Sequence, residues 1–94
     1  MKIFYIFLIL FGINIISDEF IVIDVRTPEE FKAGHIEESS NVEWQIISSI
    51  IDDVKKDQKI FLYCRSGRRS QNATDILIDL GYEDVTNLGG IKDA

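Results

Sequence analysis

Apolar residues fall along this chain in three patterns, and each predicts a different kind of element. The first is a run over residues 3–16, interrupted only by Gly12 and Asn14, preceded by Met1-Lys2 and closed by Ser17-Asp18-Glu19. The second is the short β-branched run. Phe20-Ile21-Val22-Ile23-Asp24 and Ile60-Phe61-Leu62-Tyr63 both read as strands buried on two faces of a parallel sheet. Asn41-Val42 and Val85-Thr86-Asn87-Leu88 read as two shorter strands. The third pattern has helical spacing: Ile46, Ile47, Ile50, Ile51 and Val54 within residues 45–56, then Ala73, Ile76, Leu77 and Leu80 from about Arg69 onward. Gly81 follows as the residue expected just past a helix end. Between the first two strands, Thr27-Pro28-Glu29-Glu30 carries a helix start. Thr27 is a cap, Pro28 suits the first helical position, Glu30 completes a capping box, and Gly34 stops the helix.

Strands alternating with helices predict an α/β fold, with a central, mostly parallel sheet and helices on both faces. Ligands of such sheets bind beyond the carboxyl ends of the strands. Cys64 stands at one of those ends and Asp24-Val25-Arg26 at another, so the two segments are expected to converge.

Ninety-four residues allow a single small domain. A net charge of −6 argues against nucleic acid as a partner, because a phosphate backbone selects basic faces. The run over residues 3–16 is too short for a comfortable membrane span of about twenty residues, and with one positive charge before it reads as a signal peptide. Ser17 is small enough to precede a cleavage point, which gives residues 1–17 as the signal and residues 18–94 as the domain. An uncleaved anchor over residues 3–16, or a buried first element of the domain, are the alternatives. The expected location is therefore outside the cytoplasm, periplasmic in a bacterium, with membrane contact only through an uncleaved N-terminus. The lone cysteine cannot form a disulfide within the chain, and a free thiol in an exported protein is a candidate reactive group.

That cysteine opens Cys64-Arg65-Ser66-Gly67-Arg68-Arg69-Ser70, which holds three of the four arginines of an otherwise acidic chain. A strand, a Gly-containing loop and a helix start together aim backbone N–H groups and the positive end of a helix dipole at one point. Such a point binds an anion, and it lowers the pKa of a thiol placed there. Arg65, Ser66, Gly67, Arg68, Arg69 and Ser70 are thus candidates for holding an anionic substrate over Cys64. Two cysteine chemistries use this kind of cradle. Cysteine phosphatases resemble Cys-x5-Arg, with the arginine as a fork on the phosphoryl oxygens. Here the sixth residue after Cys64 is Ser70, and Arg69 comes one position too early. The tighter loop suits a persulfide sulfur better than a phosphoester. One cysteine and one histidine are too few of the usual ligands for a zinc site, so neither metal nor cofactor is expected.

Three segments in this order resemble the rhodanese (thiosulfate sulfurtransferase) family, and among its members the short exported single-domain phage-shock-protein type. They are Ile23-Asp24-Val25-Arg26-Thr27-Pro28-Glu29-Glu30-Phe31 with Gly34-His35-Ile36, the loop from Tyr63 to Ser70, and Leu80-Gly81-Tyr82 through Leu88-Gly89-Gly90. The resemblance implies a small rhodanese-like domain and a ping-pong transfer of sulfur from thiosulfate, or another sulfane-sulfur donor, through a Cys64 persulfide. The acceptor is cyanide, a thiol or a dithiol protein, and a monomer is expected. Runner-up readings are a rhodanese-type binding module or persulfide carrier and, lower, a cysteine phosphatase or arsenate reductase. Asp24, Arg26 and His35 are expected to support the site: Asp24 by hydrogen-bonding loop amides, Arg26 through an ion pair with Glu29 or Glu30, and His35 as a structural part of its turn. The chain departs from the family where a Gly-Ala pair is usual. Glu38-Ser39 stand there, altering a surface turn and adding negative charge.

Overall fold

The computed structural model of the protein describes residues 19–92. The proposed signal segment, residues 1–17, lies outside them. Among the described residues, four strands and three helices follow in the order β1 (Ile21–Asp24), α1 (Pro28–Ala33), β2 (Ser40–Asn41), the 3-10 helix η1 (Trp44–Asp52), β3 (Ile60–Cys64), α2 (Arg68–Asp79) and β4 (Val85–Gly90). The sheet is parallel throughout, with strand order β2-β1-β3-β4.

This order determines where the helices go. The chain steps from β1 through α1 to β2 on one side, then returns past β1 to β3 and on to β4 in the opposite direction. Right-handed crossovers therefore place α1 on one face and both η1 and α2 on the other. In agreement, η1 and α2 pack against each other, and α2 packs on β3 and β4. The period of two along each strand divides the side chains accordingly. Ile23, Ile60, Leu62 and Cys64 join Ile47 and Ile50 of η1, Ala73 and Leu77 of α2, and Tyr82 in one buried cluster.

Most elements fall where the patterns put them, shifted by a residue or so. The capping box of α1 forms: the Glu30 N–H donates to Thr27 Oγ1 (3.2 Å) and the Thr27 N–H donates to Glu30 Oε1 (3.0 Å). Helix α2 ends with the Gly81 N–H donating to the Ile78 carbonyl and the Tyr82 N–H to the Leu77 carbonyl, the paired bonds of a Schellman motif. Its inward face is Ser70, Ala73, Thr74 and Leu77, whereas Leu80, expected on that face, is exposed at the helix end.

The expected α-helix over residues 45–56 is instead the 3-10 helix η1, which ends four residues earlier and is kinked at Ile46. Glu43 at its start makes no side-chain cap bond, and a run of β-branched isoleucines is a weak helix former. Ile47 and Ile50 are buried and Trp44 packs on the cluster, a spacing of three that stacks side chains in a 3-10 helix. Ile46 and Ile51, off that line, face outward.

The turn before β2 places Glu38 in the left-handed region that favours glycine. Glu38 has φ 76°, the only non-glycine residue with positive φ among the described residues. A side chain there costs roughly 1–2 kcal/mol, part of which glycine loses again through its freer unfolded state. Glu38→Gly is expected to raise stability by about 0.5–1 kcal/mol, read from the urea midpoint at unchanged m-value; a lowered midpoint would contradict the strain at this turn.

Candidate active site

Strand β3 ends on Cys64, three loop residues follow, and α2 begins at Arg68. The turn is possible because Gly67 adopts φ 99°, ψ −12°, the left-handed region that costs glycine nothing. Gly67 occupies the cap position of α2 and has no side chain to accept the first-turn N–H groups. The Cys64 sulfur takes that role. The Gly67 N–H donates to Sγ at 2.9 Å and the Ser70 N–H, in the first turn, at 3.4 Å. The Ser70 hydroxyl lies 3.4 Å from the same sulfur. Of the ring of amides anticipated over residues 65–70, these two make the direct hydrogen bonds, and the Ser66 N–H adds to them by favouring the charged sulfur.

Cys64 is 0% exposed. Burial pushes its thiol up, but the Ser70 hydroxyl and the N–H groups of Ser70, Ser66 and Gly67 more than offset it, so the pKa falls below the ordinary cysteine value. The start of α2 adds its positive dipole end in the same direction.

The loop rests on the backbone of β4, where Cys64 pairs with Gly90. A Cβ on Gly90 would stand 2.5 Å from the Arg65 carbonyl oxygen, so any side chain there would displace the loop. The β3–β4 register slips by one residue between Leu62 and Tyr63, so that Leu88 has no partner and Asn87 pairs with Leu62. Asn87 then reaches the loop. Its Nδ2 donates to the Gly67 carbonyl (3.2 Å), and its Oδ1 accepts from the Ser70 hydroxyl (2.6 Å) and the Gly89 N–H (2.9 Å). The sequence reading did not assign Asn87 to the site. The available signal was an asparagine, a residue type depleted in strands, inside β4.

The arginines divide into two groups. Arg65 and Arg68 are exposed at the loop and, among the described residues, have no ion-pair partner. Arg69 turns back to α1, donating from both terminal nitrogens to the Glu30 carboxylate at 2.8 and 3.1 Å. Glu30 thus caps α1 and ties it to the start of α2, a second role the capping pattern did not reveal. The Arg69 hydrogen bonds hold the Glu30 carboxyl well down, to about 2, against an opposing push from burial.

The supporting residues converge, with different partners from those expected. Arg26 pairs with buried Asp24, not with Glu29 or Glu30. Its Nε lies 2.9 Å from Oδ1 and its Nη2 2.7 Å from Oδ2, and Nη2 also donates to the Gly34 carbonyl. Asp24 is engaged by Arg26, including the Arg26 backbone N–H, and contacts no loop amide. The reason is proximity: two residues apart on a chain leaving β1, they meet before either reaches the loop. The Arg26 guanidinium also lies over the Tyr63 ring, 5.6 Å from its centroid. The Tyr63 hydroxyl accepts from the Ile36 N–H and contacts Ser39. His35 stacks on Phe31 and its Nδ1 bonds the Phe31 carbonyl, closing the turn away from Cys64. Among the described residues no group of three or more His, Cys, Asp or Glu side chains is placed to hold a metal ion. The groups available to a ligand are amides and guanidinium ions.

A family model described as Rhodanese-like domain matches residues 13–93. The chain is 36% identical over 73 residues to thiosulfate sulfurtransferase PspE of Escherichia coli, covering 76% of this chain and 70% of that one. It is 34% identical over 74 residues to a sulfurtransferase of Allochromatium vinosum, covering 79% and 69%. A solved structure, a rhodanese with anions from E. coli, superposes with a TM-score of 0.74 at 34% identity, over 79% of this chain and 89% of that chain.

Glu30 also predicts an acid response. Because its folded pKa is depressed, its ion pair adds stability above the unfolded carboxyl pKa of about 4.3, and that stability is lost as pH falls through about 2. After solvent screening the loss is about 1 kcal/mol. Glu30→Gln is expected to flatten the pH dependence of the urea midpoint between these limits. An unchanged slope would mean the Arg69 fork does not hold in solution.

Proposed function

The chain belongs to the rhodanese family, and we propose that it transfers sulfane sulfur from thiosulfate to a thiophilic acceptor through a persulfide on Cys64. The observation that carries this reading is the sulfur's place as acceptor of the Gly67 and Ser70 N–H groups at the start of α2. Relatives named sulfurtransferase support transfer of sulfur-containing groups in general, and thiosulfate is the specific donor proposed here.

The chemistry runs in two displacements. The Cys64 thiolate attacks the outer sulfur of thiosulfate, an S–S bond forms, and the original S–S bond breaks with its electron pair leaving on sulfite. Arg65 and Arg68, exposed at the loop, hold the sulfonate oxygens, while Arg69 stays on Glu30 and positions the helix start. The loop amides stabilise negative charge on the bound sulfur. The acceptor thiolate, or cyanide, then attacks the outer sulfur of the persulfide and returns Cys64 as thiolate. The Asp24–Arg26 pair and the His35 turn support the sheet ends around the loop without touching the reacting atoms.

Phosphoryl chemistry fits less well, because the arginine nearest the family position for a phosphate fork is engaged by Glu30. We further propose that residues 1–17 act as an export signal, on the strength of the apolar run over residues 3–16. No helix of the described residues is long and apolar enough to cross a membrane.

Purified protein incubated with thiosulfate is expected to gain one sulfur atom by intact-mass spectrometry, with sulfite released in equal amount, and Cys64→Ser to gain none. Turnover with cyanide or a dithiol should follow, and Arg65→Ala or Arg68→Ala should raise KM for thiosulfate more than they lower kcat. No adduct on the wild type, or an equal adduct on Cys64→Ser, would defeat the reading. Loading without turnover would instead indicate a persulfide carrier. Finding residues 3–16 still attached to soluble cytoplasmic protein would defeat the export proposal.

A further inference from the structure

We propose that Asn87 is a positioning residue that sets the acidity of Cys64 by competing for the one proton of the Ser70 hydroxyl. This rests on Cys64 being the reactive sulfur. The Gly89 N–H, which can only donate, lies 2.9 Å from one atom of the Asn87 amide and so identifies that atom as the oxygen, Oδ1. The Ser70 hydroxyl is 2.6 Å from the same Oδ1. A carbonyl oxygen has no proton, so at this distance the hydroxyl is the donor.

A serine hydroxyl has a single proton, and three acceptors surround this one. They are Asn87 Oδ1 at 2.6 Å, the Gly67 carbonyl at 3.1 Å and the Cys64 sulfur at 3.4 Å. With the proton on the shortest of these contacts, the hydroxyl turns a lone pair toward the sulfur. That arrangement suits the neutral thiol, whose S–H can donate to it. When Cys64 loses its proton to solvent, the hydroxyl favours the thiolate only by rotating off Asn87 to donate to Sγ. Asn87 therefore works against ionisation, and the amides of Gly67 and Ser70, which cannot turn away, work for it. The balance suits a sulfur that must be a thiolate when attacking and a leaving group when it gives up its persulfide sulfur. Thr74, whose hydroxyl donates to the Ser70 carbonyl at 2.7 Å, keeps Ser70 in place while its own hydroxyl turns.

The charges facing Cys64 come from elsewhere. They are Arg65 on the loop, Arg68 and Arg69 at the start of α2 with Glu30 on α1, and the Asp24–Arg26 pair at the end of β1. Strand β4 brings no charged side chain. An uncharged change at position 87 therefore leaves these in place.

The test is the pH dependence of Cys64 alkylation by iodoacetamide with no sulfur donor present, in wild type, Asn87→Ala, Ser70→Ala and the double variant. Asn87→Ala is expected to lower the titration midpoint by about half to one pH unit, the worth of one hydrogen bond. Ser70→Ala should raise the midpoint, and on that background Asn87→Ala should have no further effect. A structural role alone predicts the opposite for Asn87→Ala: a looser loop, weaker amide bonds and a higher midpoint. An unchanged or raised midpoint, or an equal shift with and without the Ser70 hydroxyl, would overturn the proposal. Should Asn87→Ala lose its fold by circular dichroism, Asn87→Asp keeps an acceptor toward Ser70 and Gly89. Its midpoint should rise, and rise less in Ser70→Ala; an equal rise in both, or none, would overturn the proposal. Because alkylation involves no sulfur donor, a titration as expected in a protein that takes up no sulfur would defeat sulfur transfer alone.

Discussion

Two backbone N–H groups converge on one sulfur, and the remainder of this small domain serves that convergence. A helix whose first-turn donors lack a side-chain acceptor is incomplete, and a thiolate buried without donors is costly. Here each supplies what the other lacks, since the sulfur at the end of β3 accepts from the start of α2. The arrangement needs the strand and the helix to meet within three residues, which Gly67 permits by its left-handed conformation.

Support comes from three directions. Beneath the loop, Gly90 allows the Arg65 carbonyl an approach that no side chain would tolerate. To one side, Glu30 closes the cap of α1 and receives the fork of Arg69, so a short helix with no buried residue is anchored through its charge. On the other side the buried Asp24–Arg26 pair fills the space at the end of β1. Removing one partner of such a pair leaves an uncompensated charge and typically costs about 3–5 kcal/mol. These contacts leave Arg65 and Arg68 as the exposed cations of the loop, where an anion would arrive.

The strands and the loop were legible because their signals are local. Residues 20–23 and 60–63 are apolar without interruption, and a cysteine followed by polar residues and a glycine is unlike a core position. The capping box at Thr27 and Glu30 was equally plain. Other features depended on distance and register. Asp24 and Arg26 find each other across two residues, a contact that competes with every longer-range pairing proposed for them. Glu30 and Arg69 are far apart in sequence, and nothing in either segment alone joins them. Asn87 enters the site through a one-residue slip in the β3–β4 register, which no pattern along β4 reveals. In η1 the isoleucines satisfy a helical period and a period of three almost equally. The uncapped start and the kink at Ile46 decided for the tighter helix.

The central claim is that the cradle favours the Cys64 thiolate and lowers its pKa below the ordinary cysteine value despite its burial. A titration of thiolate ultraviolet absorbance in the wild-type protein, with Cys64→Ser as the blank, reads this directly because the chain has one cysteine. The account predicts a midpoint below the ordinary cysteine value of about 8.5. A midpoint at or above that value would mean that burial outweighs the amides and the hydroxyl, and would contradict the account.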